Sequence, residues 1–234
     1  MNKLGIIQPG KLGDLIILLP AMKYLTKKGY DIYWPVFYKY VEMFREVVDY
    51  VNFLPVSDNV YTCVQEAYDI LAANNVKEIK DVAATFPGST STQEYVKLGD
   101  GKIQPFDLFK YNKLDVPIEE KWNFEINRNH KEEESLYNKL VTNDKYAVVS
   151  LKHSRGEVSY NFDVGEGQLI KMTEDYNIFY WLKILENATA IALVESSVSN
   201  LVEQLNIKSK KILLRKADNH FMKLPVMRNK WTII

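Results

Sequence analysis

Short apolar segments alternate with helix-length segments along most of the 234-residue chain. In the first half, the pattern predicts strands at 3–8, 30–36, 51–56 and 79–86, and helices at 14–29, 38–48 and 64–75. Strands that are joined through helices run parallel and carry those helices on the faces of the sheet. The alternation therefore predicts an α/β fold built on a parallel sheet.

A second alternating series of the same kind occupies the C-terminal part of the chain. It predicts strands at 146–151, 168–172, 189–194 and 210–215, with helices at 178–188 and 196–206. Between the two series, the sequence predicts a short helix at 105–114 and a strand at 121–126. The predicted organisation is an N-terminal α/β domain at 1–126, a linker helix at 127–145 and a small C-terminal α/β domain at 146–234.

The composition excludes several classes of protein. Lysine plus arginine and aspartate plus glutamate both number 30, so net charge gives no overall attraction to nucleic acid or an anionic membrane. The single Cys63 excludes an internal disulfide and fits a reducing compartment. The apolar run Leu4–Leu19 is interrupted by Pro9, Lys11 and Asp14, so it predicts neither a signal peptide nor a transmembrane segment. These features predict a cytoplasmic protein.

The stretch "QPGKLGDLII" at 8–17 places glycines, a proline and charges where the first strand gives way to the first helix. It predicts a tight turn at 9–13 and a helix that starts near Asp14. In open parallel sheets, ligands bind at this edge, beside the carboxyl ends of the strands. Asp14 is then either a simple N-cap or first-turn acid, or a group that acts on a ligand. No G-x-G-x-x-G or G-x-x-x-x-G-K-[ST] motif is present, which disfavours a dinucleotide and excludes a P-loop.

A second group of polar residues occurs in "ALVESSVSNLVEQL" at 192–205. A strand leads into Glu195, Ser196 and Ser197, and a helix follows. Hydroxyls and free backbone N–H groups at a helix start suit a diphosphate, and Glu195 can accept hydrogen bonds from sugar or ribose hydroxyls. The alternative is that one of the two serines only caps the helix.

Two further groups lie at the same predicted edge of the C-terminal sheet. Lys152, His153 and Arg155 form a compact cationic group that can neutralise a diphosphate, or they belong to a solvated polar loop. Met172 and Tyr176 can flank a nucleotide base, although ordinary packing explains them equally simply.

Two of these motifs carry a resemblance to a known family. "KLGDLIILLPAMKYL" resembles the S-x-x-G-D…P-A…L opening of the ADP-heptose:lipopolysaccharide heptosyltransferases, and "VESSVSNL" is similar to their D-[TS]-G-x-x-H-[LI] motif. The stretch 168–194 also resembles the segment that precedes the second motif. The resemblance implies a GT-B-like fold, in which two Rossmann-like parallel-sheet domains face a cleft. It also implies inverting transfer of a sugar from a nucleotide-sugar donor.

Within the first motif, Asp14 falls on the family's candidate general base and Gly13 on the glycine beside it. Lys11 belongs to the same loop, on the side that the resemblance assigns to the acceptor. The domain at 1–126 is therefore expected to be the acceptor side, and the domain at 146–234 the nucleotide-sugar-binding side.

The second motif matches the family less closely. Ser196 stands where the family has Thr or Ser. Glu195 replaces its Asp, Ser197 replaces its Gly and Asn200 replaces its His. The larger side chains narrow the donor pocket, so the resemblance does not extend to the identity of the donor.

The sequence thus predicts an inverting, metal-independent glycosyltransferase of hexosyl or heptosyl type. Its partners would be a nucleotide-sugar donor and an acceptor hydroxyl on a saccharide or glycoconjugate, with no cofactor. No D-x-D motif is present, and His130 and His220 have no ligand spacing, so no metal site is predicted. One alternative is a viral-type enzyme that glycosylates a modified base, with nucleic acid as the acceptor. The other is a non-catalytic nucleotide-sugar-binding protein or an epimerase of the same fold.

Overall fold

The computed structural model describes residues 2–97, 104–153, 156–159, 167–215 and 224–234. The chain divides into two compact units, and each contains its own parallel sheet. The first unit consists of Met1–Asn127 with Met222–Val226, and the second of Arg128–Phe221 with Met227–Ile234.

The first unit is a four-stranded sheet with strand order β3-β2-β1-β4, in which all paired strands are parallel. Its elements in chain order are β1 (Asn2–Ile7), α1 (Leu12–Lys27), β2 (Tyr30–Phe37), α2 (Tyr38–Arg45), β3 (Val51–Val56), α3 (Cys63–Ala73), β4 (Glu78–Asp81), α4 (Ser91–Lys97), α5 (Phe106–Lys113) and a 3₁₀ turn at Ile118–Trp122. Strand β1 is central, and its buried Leu4, Ile6 and Ile7 form the middle of the core.

The second unit has a five-stranded parallel sheet with strand order β11-β10-β9-β5-β8. Its elements are α6 (His130–Leu140), β5 (Tyr146–Ser150), the antiparallel hairpin β6 (Lys152–His153) and β7 (Gly156–Glu157), β8 (Gln168–Lys171), a 3₁₀ turn at Ile178–Trp181, α7 (Leu182–Asn187), β9 (Ala190–Val194), α8 (Ser197–Gln204), β10 (Lys210–Leu214) and β11 (Trp231–Ile233).

Each sheet has one position where the direction of the strand order reverses. In the first unit it lies between β1 and β4, and in the second unit between β5 and β9. Ligands of open α/β sheets bind beside the carboxyl ends of the strands at such reversal points. The loops that follow these four strands are therefore where a site is expected.

The predicted α/β class with parallel sheets is confirmed, but three predicted elements differ. No strand forms at 121–126, because Lys121 turns into the core in the 3₁₀ turn and bonds with Asp107. Strand β4 ends at Asp81 and not at residue 86, because the Asp81 carboxylate accepts hydrogen bonds from the loop that follows. Helix α1 begins at Leu12, two residues before the predicted start.

The helix predicted as a linker is present as α6 and lies within the second unit. Arg128, just before it, forms ion pairs with Glu133 of the helix and with Glu186 of α7. None of the helices among the described residues has the length and hydropathy required to cross a membrane.

The buried ion pair between Lys121 and Asp107 gives a test of the first unit. Both side chains are fully buried, with Lys121 Nζ 2.6 Å from Asp107 Oδ2. Lys121→Met leaves the carboxylate buried without its cation, so the free energy of unfolding should fall by about 3–5 kcal/mol. Urea denaturation measures this loss.

The matched control is Lys80→Met, which breaks the exposed ion pair with Asp115. This change should cost about 1 kcal/mol or less. Equal small losses for the two variants would contradict the importance of the buried pair.

Candidate functional site

The loop between β1 and α1 is held by contacts that allow only a narrow range of side chains. Gln8, fully buried, donates from Nε2 to the carbonyl oxygen of Gly10 at 2.8 Å. The N–H of Phe37 donates to the carbonyl of Pro9 at 2.6 Å. A Cβ on Gly10 would come within 2.2 Å of the Phe37 ring, so this position requires glycine. The following residue, Lys11, has φ +61° and is the N-cap of α1.

Asp14 occupies the first turn of α1, as one of the sequence interpretations proposed, but it is not the N-cap. Its side chain is half-buried, and no described residue donates a hydrogen bond to its carboxylate. Burial raises the pKa of Asp14, while the cations of Lys110 and Lys11 act to lower it. A carboxylate with free acceptor capacity and a raised pKa has the properties of a general base.

Lys110 is a residue of this site that the sequence analysis missed. It lies on α5 with its side chain fully buried, and Nζ donates to Gln8 Oε1 and, at 2.8 Å, to the carbonyl of Val82. The ammonium also lies 4.2 Å from the centre of the Phe106 ring. Burial lowers the pKa of Lys110 to about 8, and the nearby Asp14 carboxylate opposes that shift.

A pocket of about 670 Å³ lies beside Lys11 at the end of β4. The Asp81 carboxylate organises its wall by accepting hydrogen bonds from Ser89 Oγ at 2.8 Å and from the Thr90 N–H at 2.7 Å. Lys11 Nζ donates to Thr85 Oγ1 at 2.6 Å on its rim. The pocket is lined by Thr85, Phe86, Pro87, Gly88, Ser89, Thr90 and Thr92. The hydroxyls of this lining all hydrogen-bond within the protein, to Lys11, to Asp81 or to the carbonyl of Phe86, so the pocket is a preorganised polar hollow near the start of α1.

In the second unit, the start of α8 follows directly from β9. Ser196 occupies the N-cap position, and its N–H donates to Ser199 Oγ at 2.9 Å, whereas its own hydroxyl is buried with no hydrogen-bond partner among the described residues. Ser197 is the first helical residue and is half-buried, as is Asn200 one turn later. Glu195 Oε2 is buried and accepts no hydrogen bond from the described residues. First-turn N–H groups and this carboxylate oxygen are thus available to a ligand.

The remaining predicted site residues of the second unit lie outside the β9–α8 junction. Lys152 Nζ lies 2.6 Å from Glu174 Oε2 in an exposed ion pair, so binding a diphosphate would require it to exchange this partner. Met172 is buried, and its N–H extends the β5–β8 ladder by donating to Val149. Tyr176 is half-buried and accepts a hydrogen bond from Lys139 Nζ at 2.6 Å. Arg155 lies outside the described residues.

The geometry assigns the predicted residues to two groups. Lys11, Gly13 and Asp14 share the β1–α1 junction of the first unit, with Lys11 as the N-cap and the other two in the first turn of α1. Glu195, Ser196, Ser197 and Asn200 share the β9–α8 junction of the second unit. Each group follows a strand at the point where its sheet reverses strand order.

Solved structures share this architecture along the whole chain. A glycosyl transferase family 9 protein from Veillonella parvula aligns over 100% of this chain and 85% of its own, with a TM-score of 0.64 and 12% identity. The chain has the GT-B fold. The ADP-heptose lps heptosyltransferase II of E. coli aligns over 100% of this chain and 90% of its own, with a TM-score of 0.58 and 10% identity.

The E. coli heptosyltransferase WaaC, solved with ADP-2-deoxy-2-fluoro heptose, has a TM-score of 0.53 and 12% identity over 100% of this chain and 93% of its own. These alignments confirm the predicted heptosyltransferase-like fold with two Rossmann-like parallel-sheet units. No protein-family model matches the sequence, and comparison with curated proteins gives no match.

Proposed function

We propose that the protein is an inverting, metal-independent glycosyltransferase that moves a sugar from a nucleotide-sugar donor to an acceptor hydroxyl of a saccharide or glycoconjugate. The observation that carries this proposal is the Asp14 carboxylate, which lies in the first turn of α1 in a GT-B fold and accepts no hydrogen bond from the described residues. Burial raises its pKa, as a base for an alcohol requires. The single Cys63 supports a cytoplasmic location.

In this proposal, the second unit binds the donor. The N–H groups at the start of α8 and the hydroxyl of Ser197 bind the diphosphate, and Glu195 accepts hydrogen bonds from ribose or sugar hydroxyls. Asn200 faces the donor from the next turn, and Lys152 and Arg155 supply positive charge. Met172 and Tyr176 are assigned to the side of the base. The ADP-sugar analogue bound to WaaC, a protein of the same fold, supports a nucleotide-sugar donor.

The first unit binds the acceptor, with Lys11 and Gly13 at the start of α1 beside Asp14. The acceptor oxygen attacks the anomeric carbon of the donor as its proton passes to Asp14 Oδ. The bond from the anomeric carbon to the diphosphate oxygen breaks, and its electron pair leaves on the nucleoside diphosphate. Helix N–H groups and cations stabilise that developing charge. Attack opposite to the leaving group inverts the anomeric configuration.

Asp14→Asn tests the proposed base. Asparagine keeps the size of the side chain but cannot take the proton, so kcat should fall by about 10²-fold or more while donor affinity stays close to wild type. Burial of the Asp14 carboxylate opposes its ionisation, while its charge stabilises the buried Lys110 ammonium, so the two effects of the substitution on the free energy of unfolding oppose each other.

Asp69→Asn, an exposed substitution on α3, is the matched control and should keep wild-type turnover. Transfer assays on both variants, with urea denaturation, make the comparison. Binding of donor by the wild type without any turnover would identify the non-catalytic alternative instead.

Ser197→Asp tests the diphosphate site. Thermal shift against a panel of nucleoside diphosphates and their sugars identifies the ligand, and about 100 times its Kd should stabilise the wild type by about 2.7 kcal/mol. An aspartate at the first helical position favours the helix but repels the diphosphate, so this stabilisation should disappear while the fold is kept.

Ser135→Asp adds the same charge at an exposed position of α6 and should leave the thermal shift intact. A shift that persists in Ser197→Asp would place the diphosphate elsewhere.

Chelation tests the proposed metal independence. Among the described residues, no group of three or more His, Cys, Asp or Glu side chains could hold a metal ion. In the proposal, helix N–H groups and lysine or arginine cations stabilise the leaving diphosphate, so turnover should persist in excess EDTA. Complete loss of turnover that is restored by a divalent cation would contradict this mechanism.

A further inference from the structure

Lys110 is a buried cation whose presence the fold alone does not explain. Its side chain is fully buried, yet the described residues place no carboxylate within 4 Å of its ammonium. Its hydrogen-bond acceptors are the neutral Gln8 side chain and the Val82 carbonyl. A buried ammonium without a direct counter-charge costs several kcal/mol. The other fully buried lysine of this unit, Lys121, is in contrast directly paired with Asp107.

Three carboxylates act on Lys110 through space, those of Asp14, Asp81 and Asp107. Asp107 is committed to its ion pair with Lys121. Asp81 accepts hydrogen bonds from the loop that follows β4, including both the N–H and the hydroxyl of Thr90. Asp14 is the member of the three that receives no hydrogen bond from the described residues. It is also the carboxylate whose charge acts most strongly on Lys110.

A chain of hydrogen bonds also joins Lys110 to the loop that presents Asp14. Lys110 Nζ donates to Gln8 Oε1, and Gln8 Nε2 donates in turn to the carbonyl of Gly10 at 2.8 Å. Gly10 directly precedes Lys11, the N-cap of α1, and Asp14 lies in the first turn of that helix. Helix α5 is therefore connected to the position of the carboxylate across 102 residues of sequence.

We propose that Lys110 is a positioning residue for the general base: its buried ammonium is the counter-charge of the Asp14 carboxylate, and its bond to Gln8 fixes the loop that leads into the helical turn carrying Asp14. The proposal rests on the proposed function, because it gives the role of Asp14 its electrostatic support. The other ionisable groups that act on Asp14 are Lys11 in its own loop and Tyr95 of α4. Lys11 is exposed and hydrogen-bonded to Thr85, so its charge is better screened than that of Lys110.

The test follows the titration of the Asp14 carboxyl carbon by NMR in protein labelled with ¹³C-aspartate, and Asp14→Asn assigns the signal. In Lys110→Met, loss of the counter-charge should raise the titration midpoint of Asp14 by about one pH unit or more. Lys110→Arg restores a cation and should return the midpoint close to the wild-type value. Lys113→Met removes a lysine of the same helix that pairs with Glu94, and it should leave the midpoint unchanged.

An unchanged midpoint in Lys110→Met overturns the proposal. If that variant does not fold, Gln8→Met serves instead, because it removes the tether and keeps both charges. Its midpoint should also rise, and an unchanged value overturns the proposal in the same way. These titrations are recorded without donor or acceptor, so they test the Lys110–Asp14 pairing independently of the proposed glycosyltransferase activity. A midpoint that moves while Asp14→Asn keeps wild-type turnover would uphold the pairing and refute the catalytic role of Asp14.

Discussion

Parallel strand pairing is the constraint on which the arrangement of polar groups in this protein depends. In the first unit, β1 pairs with β2 on one side and β4 on the other, and its buried Leu4, Ile6 and Ile7 make the C-terminal part of the strand apolar. The polar side chains that are buried at this edge lie at the carboxyl ends of the strands, Gln8 directly after β1 and Asp81 as the last residue of β4. The same rule places Glu195 directly after β9 in the second unit.

The two buried lysines of the first unit differ in the groups that surround their ammonium. Lys121 meets its counter-charge at 2.6 Å, and Val226 donates its N–H to the same Asp107 carboxylate, so this pair connects a distant segment to the unit. Among the described residues, Lys110 donates only to neutral acceptors, and Asp14 is the carboxylate whose charge acts on it most strongly. Burying the Lys110 ammonium lowers the stability of the fold, and the Asp14 carboxylate stays accessible. Such a loss of stability beside an accessible carboxylate is typical of a functional site.

The elements that the sequence predicts well are those fixed by local pattern. The alternation of strands and helices predicts both sheets, and Asp14 and Ser196 are found at helix starts because each lies where a strand gives way to a helix. The local sequence pattern could not identify Lys110 as a site residue, because a lysine in a short polar helix is usually exposed. Its burial is decided by Gln8, which is 102 residues away in sequence. The strand predicted at 121–126 is wrong for the same reason, since Lys121 is held by a long-range ion pair.

The fold neighbours share only 10–12% of their residues with this chain, so pattern and topology, rather than side-chain identity, carry the common architecture. The two motifs differ in how many of the similar family's residues they contain. The glycine and aspartate of the first loop are present as Gly13 and Asp14, whereas Glu195 and Ser197 are bulkier than the residues of the similar family. Proton removal from a hydroxyl is common to every acceptor, while donor recognition depends on the shape of a pocket. Under the proposed function, the unit that carries Asp14 performs this general step, and the larger side chains of the β9–α8 junction select the donor.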